Sequence, residues 1–488
     1  MSRWMAVLCL TATLSAAPLD QEIARLLAAS PAGRSAFWGI QIVDLGSGKI
    51  LYSRNADRLF IPASNAKLFT AALALDRLGP DFRFQTRVLA AAAPDAEGRI
   101  RGPVRLVGGG DPNLSARAVP YRIGPVTGNP LAPIEDLADQ VVAHGVKQIE
   151  GGIIGDDTWY VWEPYPEGWA VDDTQYDYGA PVSALTINDN SLTLTVRPAA
   201  HPGELAELTL LPPVEYYEID NRIMTVPAGR ERKIQIERTP GSRQVRLWGT
   251  LPASASPESL LLAIDDPAEY AALALRQALE DRGVTVVGKT ASEHRFPNQD
   301  VAAANIEGFE LARRESAPLI DDLGITAKVS QNLHAELALR AVARAREKPP
   351  TRQAGLEEMK AYLTSIEIGP DAYSFNDGSG LGRTDLVTPA AVIKLLHHMY
   401  TSPLRENWIP LLPIGGRDGT LSGRFGDGPA AGRIHAKTGS LAHVSSLSGY
   451  AERPGGSWLA FSILVNNFNG PAAEVRDLID RICTLILE

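Results

Sequence analysis

Residues 61–79, IPASNAKLFTAALALDRLG, constrain this chain more than any other stretch. Most residues from Leu68 to Leu78 are Ala, Leu or Phe, and Gly79-Pro80 then stops the run. Strong helix formers ending in Gly-Pro predict a helix, and apolar residues on every side mark it as buried. Positions three apart share a helix face, so the Ser64 hydroxyl and the Lys67 amine can meet. A lysine in the first turn gains nothing from the macrodipole, whose positive end is already there. Burial would instead depress its pKa and leave a neutral amine able to take a proton from serine. A helix-capping serine beside a snorkelling lysine is the plainer alternative. No other S-x-x-K occurs in the sequence.

At 488 residues the chain exceeds one simple core and predicts two or three domains. The net charge of −10, with no long basic stripe, argues against a nucleic-acid partner. The densest basic run, residues 340–352, follows a helical pattern and ends at Pro349-Pro350, so it reads as a solvated helix end. Arg3, an apolar stretch over 4–14 and the small residues Ser15-Ala16-Ala17 have the layout of a secretory signal peptide over 1–17. It is too short to span a bilayer, and no other segment approaches a stable membrane span. A periplasmic or otherwise exported protein is expected. Cys9 would leave with the leader, so Cys483 alone could form no intramolecular disulfide.

Both ends of the sequence offer strands and a helix. Residues 38–44 and 49–53 form a hairpin around Gly46-Ser47-Gly48 that runs straight into the Ser64 helix. Residues 444–452 and 457–466 form a second strand pair, and 472–487 a closing helix. One sheet built from the two termini is therefore expected. Between them, residues 84–107 alternate, 131–146 look helical, and 192–196, 205–211, 233–238 and 244–249 are strands spaced by Pro and Gly. Residues 266–282 form a helix with Asp266 as cap, Pro267 in its first turn and Gly283 at its end. Residues 285–288 follow as a strand, and from about 290 the pattern turns helical.

Two further motifs lie downstream. Ser330-Gln331-Asn332 precedes an apolar helical run, and Lys437-Thr438-Gly439-Ser440 opens the C-terminal strands. S-x-N is weak alone, since Ser53-Arg54-Asn55 and Ser374-Phe375-Asn376 also match, and K-T-G-S alone could be a simple turn. In this order, S-x-x-K on a buried helix, S-x-N at a helix start and K-T-G on a strand resemble the signature of penicillin-binding proteins and related serine β-lactamases. The long interval between Lys67 and Ser330 resembles the class C low-molecular-mass type, the D-alanyl-D-alanine carboxypeptidase/endopeptidase family (peptidase family S13). The stretches GGGDPNLS (108–115), GWAVDDTQYDYGAPVSALTINDN (168–190), DPAEYAALALRQALEDRGV (266–284), NDGSGLGRTDLVTP (376–389) and LPIGGRDGTLSGRF (412–425) are similar to blocks of that family. One small departure is Gln331 inside S-x-N.

The resemblance implies an α+β fold: a serine β-lactamase/transpeptidase-like domain, an antiparallel sheet flanked by helices, with nested, mainly β inserted domains. Its parts would be 18–84 and 290–488, with two nested units in 85–289. It also implies acyl transfer. Ser64 would attack the carbonyl between two D-alanines, or a D-configured cross-link, with Lys67 as general base. Ser330 would relay a proton to the leaving nitrogen, Lys437 would keep the pocket positive and orient Ser330, and Asn332 would hold the substrate and Lys67. The N–H groups of Ser64 and Ser440 would form the oxyanion hole. Thr438, Gly439 and Ser440 would bind a terminal carboxylate. Peptidoglycan stem peptides would be the substrate, β-lactam antibiotics covalent inhibitors, and no cofactor or metal is implied. Asp172 and Arg383 match the family's positions for a pocket reading the charged end of a diamino acid, with Trp169 and Tyr176 as walls. Asp173 could serve in place of Asp172, and a turn cap plus a surface ion pair is the bland alternative.

Other chemistries fit less well. The eight histidines show no H-E-x-x-H spacing. Gly378-Ser379-Gly380 lacks the G-x-S-x-G spacing and sits in a turn-like stretch. His435 and His443 flank K-T-G and read as structural. The alternatives left are a β-lactamase or esterase on the same fold, and a non-catalytic wall-binding scaffold; intact catalytic motifs argue against the scaffold.

Overall fold

The computed structural model describes residues 18–297, 307–426 and 428–488, so the expected leader at 1–17 lies outside the described residues. A five-stranded sheet runs in the order Ile434–Leu441, Val444–Glu452, Trp458–Asn466, Phe37–Asp44, Ile50–Arg54. Every neighbouring pair is antiparallel. The termini thus build one sheet, and the strand carrying Lys437 lies at its edge.

Both faces of this sheet are covered, so its inner strands are buried almost throughout: Trp458–Asn466 and Phe37–Asp44 are largely apolar, while Val444–Glu452 buries Ser445, Ser446 and Ser448. Trp38, Ile40, Ile42, Phe461 and Ile463 face a core under the helices Leu19–Ala29 and Ala472–Leu485. Tyr450, Ala460 and Leu464 face a second core, which contains Phe69, Leu73 and Leu75 of the helix Ala66–Leu78. Ala66 to Leu75 are all buried, each large side chain adding about 1.5–3 kcal/mol to the folded state. The helix packs against Leu319–Lys328, Asn332–Ala345 and Arg352–Ser365. Gly79 stops it at φ +80°. Ala63–Asn65 is a 3-10 turn, so Ser64 stands just ahead of the α-helix rather than inside it.

A second, mixed sheet has the order Ala291–Arg295, Ile153–Val161, Val104–Val107, Gln85–Ala90, Phe309–Glu315. The helices Ala132–Ala143 and Pro267–Glu280 pack on it, and Asp266 caps the second by accepting from Glu269 N at 2.9 Å. Three three-stranded sheets complete this region: Glu218–Val226, Gln244–Pro252, Lys233–Arg238; Glu258–Ala263, Ser191–Arg197, Glu207–Leu211; and the short Thr285–Val286, Gln148–Ile149, Arg99–Ile100. One apolar core runs through all of it, from Val88 to Ala312.

Residues just beyond 290 are not helical. Ala291–Arg295 and Phe309–Glu315 are edge strands of the mixed sheet, and helix begins only at Leu319. Among FELARRE only Leu311 and Ala312 are buried, so charged residues mask the apolar period. Ile153–Val161, Glu218–Val226 and Glu258–Ala263 are strands that the sequence patterning also misses.

The buried Tyr450 hydroxyl accepts from Trp408 Nε1 at 2.9 Å and donates to Leu396 O at 2.7 Å, joining the sheet to the helical layer. Tyr450→Phe leaves the buried Trp408 indole N–H unpaired and takes the second bond from Leu396 O, at an expected cost of about 1–3 kcal/mol. A lowered thermal midpoint checks this; an unchanged one would mean that the two bonds contribute nothing.

Candidate active site

Three segments far apart in sequence converge on the Lys67 amine. Its Nζ lies 2.9 Å from Ser64 Oγ, 2.6 Å from Asn332 Oδ1 and 2.7 Å from Ser379 O. Asn332 is oriented by its own Nδ2, which donates to Tyr178 O at 2.7 Å. A neutral amine has two N–H donors and one lone pair. The carbonyl-type oxygens of Asn332 and Ser379 can only accept, so the lone pair falls to the Ser64 hydroxyl. Lys67 is 1% exposed. Burial lowers its pKa to about 7, against the upward pull of Asp377, Glu336 and Asp385.

Lys437 donates to Ser330 Oγ at 2.8 Å and to Thr438 O at 2.8 Å. Burial, and secondarily the charge of Lys67, holds this lysine well below its ordinary value. Burial thus opposes the positive charge expected of Lys437. The strands and turns of the two lysines are tied directly. Asn65 Nδ2 donates to Lys437 O at 3.0 Å, and Ser446 Oγ to Pro62 O at 2.8 Å. Gly439 makes the approach possible, since a Cβ there would lie 2.3 Å from Ser446 Oγ and 3.0 Å from Ser64 N. Thr438 is half-buried and donates to Thr420 Oγ1 at 2.8 Å, while Ser440 is exposed.

Backbone strain concentrates here. Ala63 has φ +48° and Ser330 φ +65°, conformations that cost a non-glycine residue on the order of 1–3 kcal/mol. The loop at 376–382 closes over the first of them. At Gly380, φ +77°, a Cβ would sit 1.9 Å from Ala63 O. Asp377 organises this loop: its carboxylate accepts from Ser379 N, Gly380 N and Gly382 N, and from Trp169 Nε1 at 2.8 Å. Sequence reading took Gly378-Ser379-Gly380 for a turn, and it is one, but it carries the third partner of Lys67. Asp377, Glu336, Tyr178 and Thr420 were not singled out either, although Asp377, Tyr178 and Thr420 lie within the family-like stretches.

The structure brings Ser64, Lys67, Ser330, Asn332 and Lys437 together. The residues expected to read a diamino acid lie at the margin. Trp169 is half-buried through its bond to Asp377, and Tyr176 stacks on Tyr178 with centroids 5.6 Å apart. Asp172 and Arg383 are both exposed rather than buried, and no ion pair joins them among the described residues. Arg383 Nη1 donates to Ala442 O at 3.0 Å, beside the end of the Lys437 strand. Asp173 is half-buried and raised by burial, with Tyr178 bonded to its carboxylate. A cavity of about 400 Å3 adjoins Ser330, Gln331 and Asn332, walled by Arg117, Tyr178 and Asp189. The flanking histidines are structural: His435 packs on Trp458, and His443 Nδ1 donates to Phe468 O at 2.8 Å.

The relatives point the same way. A curated D-alanyl-D-alanine carboxypeptidase of Actinomadura sp. (strain R39) is 37% identical over 461 residues, covering 92% of this chain and 81% of that relative. The crystal structure of penicillin binding protein 4 (dacB) from Haemophilus influenzae superposes with a TM-score of 0.80 at 23% identity, covering 95% of this chain and 98% of that one. A second structure of that protein, complexed with a β-lactam, superposes with a TM-score of 0.76 and the same coverage. These two share the fold, a transpeptidase-like α+β architecture with inserted sheets. The model of the D-Ala-D-Ala carboxypeptidase 3 (S13) family matches residues 19–485, and the chain belongs to that family.

Proposed function

We propose that this chain is an exported serine D,D-peptidase that hydrolyses D-Ala-D-Ala ends and D-amino-acid cross-links of peptidoglycan through an acyl-enzyme on Ser64. The observation that carries this is the set of three partners around Lys67, which leaves its lone pair for Ser64. Lys67 takes the Ser64 proton as Oγ attacks the carbonyl between the two D-residues. The tetrahedral oxyanion forms where the Lys437 strand meets the serine turn, and the Ser64 and Ser440 N–H groups receive it. The close approach at Gly439 supports that arrangement. Ser330, bonded to Lys437, passes a proton to the leaving nitrogen. Water then releases the acyl group by the reverse path. The terminal carboxylate of the substrate docks on Thr438 and Ser440, the Thr438 O–H turning to it from Thr420 Oγ1. Its negative charge would draw Lys437 back towards the protonated form.

β-Lactams would acylate the same serine, as the β-lactam complex of the Haemophilus influenzae protein suggests by kinship. Export rests on the leader-like residues 1–17, and among the described residues no helix is long and apolar enough to cross a membrane. Slow release of a penicillin adduct separates this reading from a β-lactamase or esterase, which would turn penicillin over rapidly.

Ser64→Ala should abolish both peptide cleavage and labelling by a fluorescent penicillin while the thermal midpoint holds. Labelling at another serine in that variant would sink the assignment. Acylation should also fall with acid. With the Lys67 pKa at about 7, the neutral fraction halves near that pH and drops about tenfold per unit well below it. Lys67→Arg cannot give up its proton, so acylation should slow about 10²–10⁴-fold. A flat profile down to pH 5, or a near wild-type rate in Lys67→Arg, would contradict the general-base role.

Substrate reading is assigned to Asp172 and Arg383, whose exposure leaves both charges available to the ammonium and carboxylate of a diamino acid. Asp173 is the poorer candidate because Tyr178 already holds it. Asp172→Ala or Arg383→Ala should cut kcat/KM for diamino-acid peptides by about tenfold or more, each removing one charge-assisted contact. Acylation by simple penicillins should stay within about twofold. Equal losses for both compounds would mean that these residues support the fold.

A further inference from the structure

Gln331 sits between the two active side chains of the Ser330–Asn332 motif, and it is bound to the inserted region. Its Nε2 donates to Asp189 Oδ2 at 3.0 Å, while its Oε1 accepts from Leu333 N at 3.0 Å and caps the helix Asn332–Ala345. On the other side of Asn332, His334 faces the same carboxylate, with Nε2 at 3.0 Å from Asp189 Oδ1. Its Nδ1 lies 2.7 Å from Asp322 Oδ1, which also accepts from Asn113 Nδ2 at 2.7 Å. Arg117 completes the cluster with both terminal nitrogens on Asp189, Nη1 at 3.0 Å from Oδ1.

The His334 ring is wholly buried. Burial alone would favour the neutral ring, yet Asp322 and Asp189 raise its pKa to about 9, so it is an imidazolium at neutral pH. Burial would likewise raise Asp189, but Arg117 and His334 hold it well below the usual carboxylate range. Buried charge clusters of this kind seldom add net stability compared with apolar packing. A plain N-cap would already terminate the helix. What the cluster adds is a fixed geometry between two strained backbones. Asn188, Asp189 and Asn190 have φ of +49°, +57° and +51°, and Ser330 has +65°. The Asn190 side chain braces the first of these turns, donating to Pro181 O at 2.9 Å and accepting from Ile187 N at 3.2 Å.

We propose that Asp189 is a positioning residue for acyl transfer: through Gln331 and His334 it fixes the strained Ser330 turn and Asn332 where they meet Lys437 and Lys67. This rests on the acyl-transfer reading above. The inserted region would then set reaction rate without touching the reacting atoms, and the departure at Gln331 becomes the link itself.

The test uses the full chain and single-turnover acylation of Ser64 by a fluorescent penicillin, read as a limiting rate and a half-saturating concentration, beside the thermal midpoint. Gln331→Met removes the bond to Asp189 together with the cap on Leu333 N, at a position that borders solvent. Gln331→Glu, which keeps an oxygen for Leu333 N but offers Asp189 no donor, is therefore measured beside it and should lose rate to the same extent. Gln331→Met should cut the limiting rate about 10–100-fold, the scale of a small misplacement of a reacting group. Half-saturation should stay within about twofold and the midpoint within about 2 °C. Asp189→Asn should lose at least as much rate, and adding Gln331→Met to it should cost less than a further twofold, since both break one linkage. A Gln331→Met rate within twofold of wild type, or additive losses in the double variant, would overturn the proposal. If Asp189→Asn does not fold, Gln331→Met and Gln331→Glu decide together: a Gln331→Glu rate within twofold of wild type would overturn the proposal. Failure of the wild-type chain to label at Ser64 would instead refute the acyl-transfer reading itself, and this proposal with it.

Discussion

Burying the amine of Lys67 without a carboxylate in direct contact is the constraint from which the groove follows. A buried lysine normally recovers its lost hydration by pairing with an acid or by giving up its proton. Here three acids lie close enough to raise its pKa, but each is already engaged. Glu336 is paired with Arg340 at 3.1 Å and accepts from Gly378 N at 2.7 Å. Asp377 is saturated by three backbone N–H groups and Trp169. Asp385, pushed well above its ordinary value by burial and by Asp377, accepts from Asn376 N at 2.6 Å. The acids therefore temper desolvation at a distance, which leaves Lys67 at about 7 instead of far lower. That is the range in which an amine is both often neutral and basic enough to deprotonate a serine.

Holding such a site together requires strain, and the surrounding cores supply the rigidity that sustains it. The left-handed residues Ala63 and Ser330 each precede or carry an active hydroxyl, and neither is a glycine. Ala63 is pinned between the close approach of Gly380 and the bond from Ser446 to Pro62 O. The helix behind it is buried on every side, so the serine turn cannot relax by tilting its helix.

The chemistry was easier to read from sequence than the architecture, for a physical reason. Ser64, Lys67, Ser330, Asn332 and Lys437 are polar residues at element starts or in otherwise apolar runs, where a bland explanation is strained. The terminal strands and the buried helix were legible because both are nearly uniform in polarity. The edge strands Ala291–Arg295 and Phe309–Glu315 were not, because an edge buries only part of one face and fills the rest with charge. Local pattern also could not reveal that Ser379 lends a backbone oxygen to Lys67, since carbonyls carry no sequence signature. The same holds for the exposure of Asp172 and Arg383, and for the nearness of Lys67 to Lys437, 370 positions away.

Residues 168–190 reach the groups around the two lysines directly. Tyr178 O orients the Asn332 amide, Trp169 closes the hydrogen bonding of Asp377, and Asp189 holds Gln331 and His334 on either side of Asn332. All three lie between residues 168 and 190, and all three act on groups one bond away from Lys67 or Ser330. A loop so placed needs its own support, which the mixed sheet and its continuous apolar core provide. The groups around the two lysines are therefore hydrogen-bonded by residues 168–190 as well as by the segments that carry the lysines.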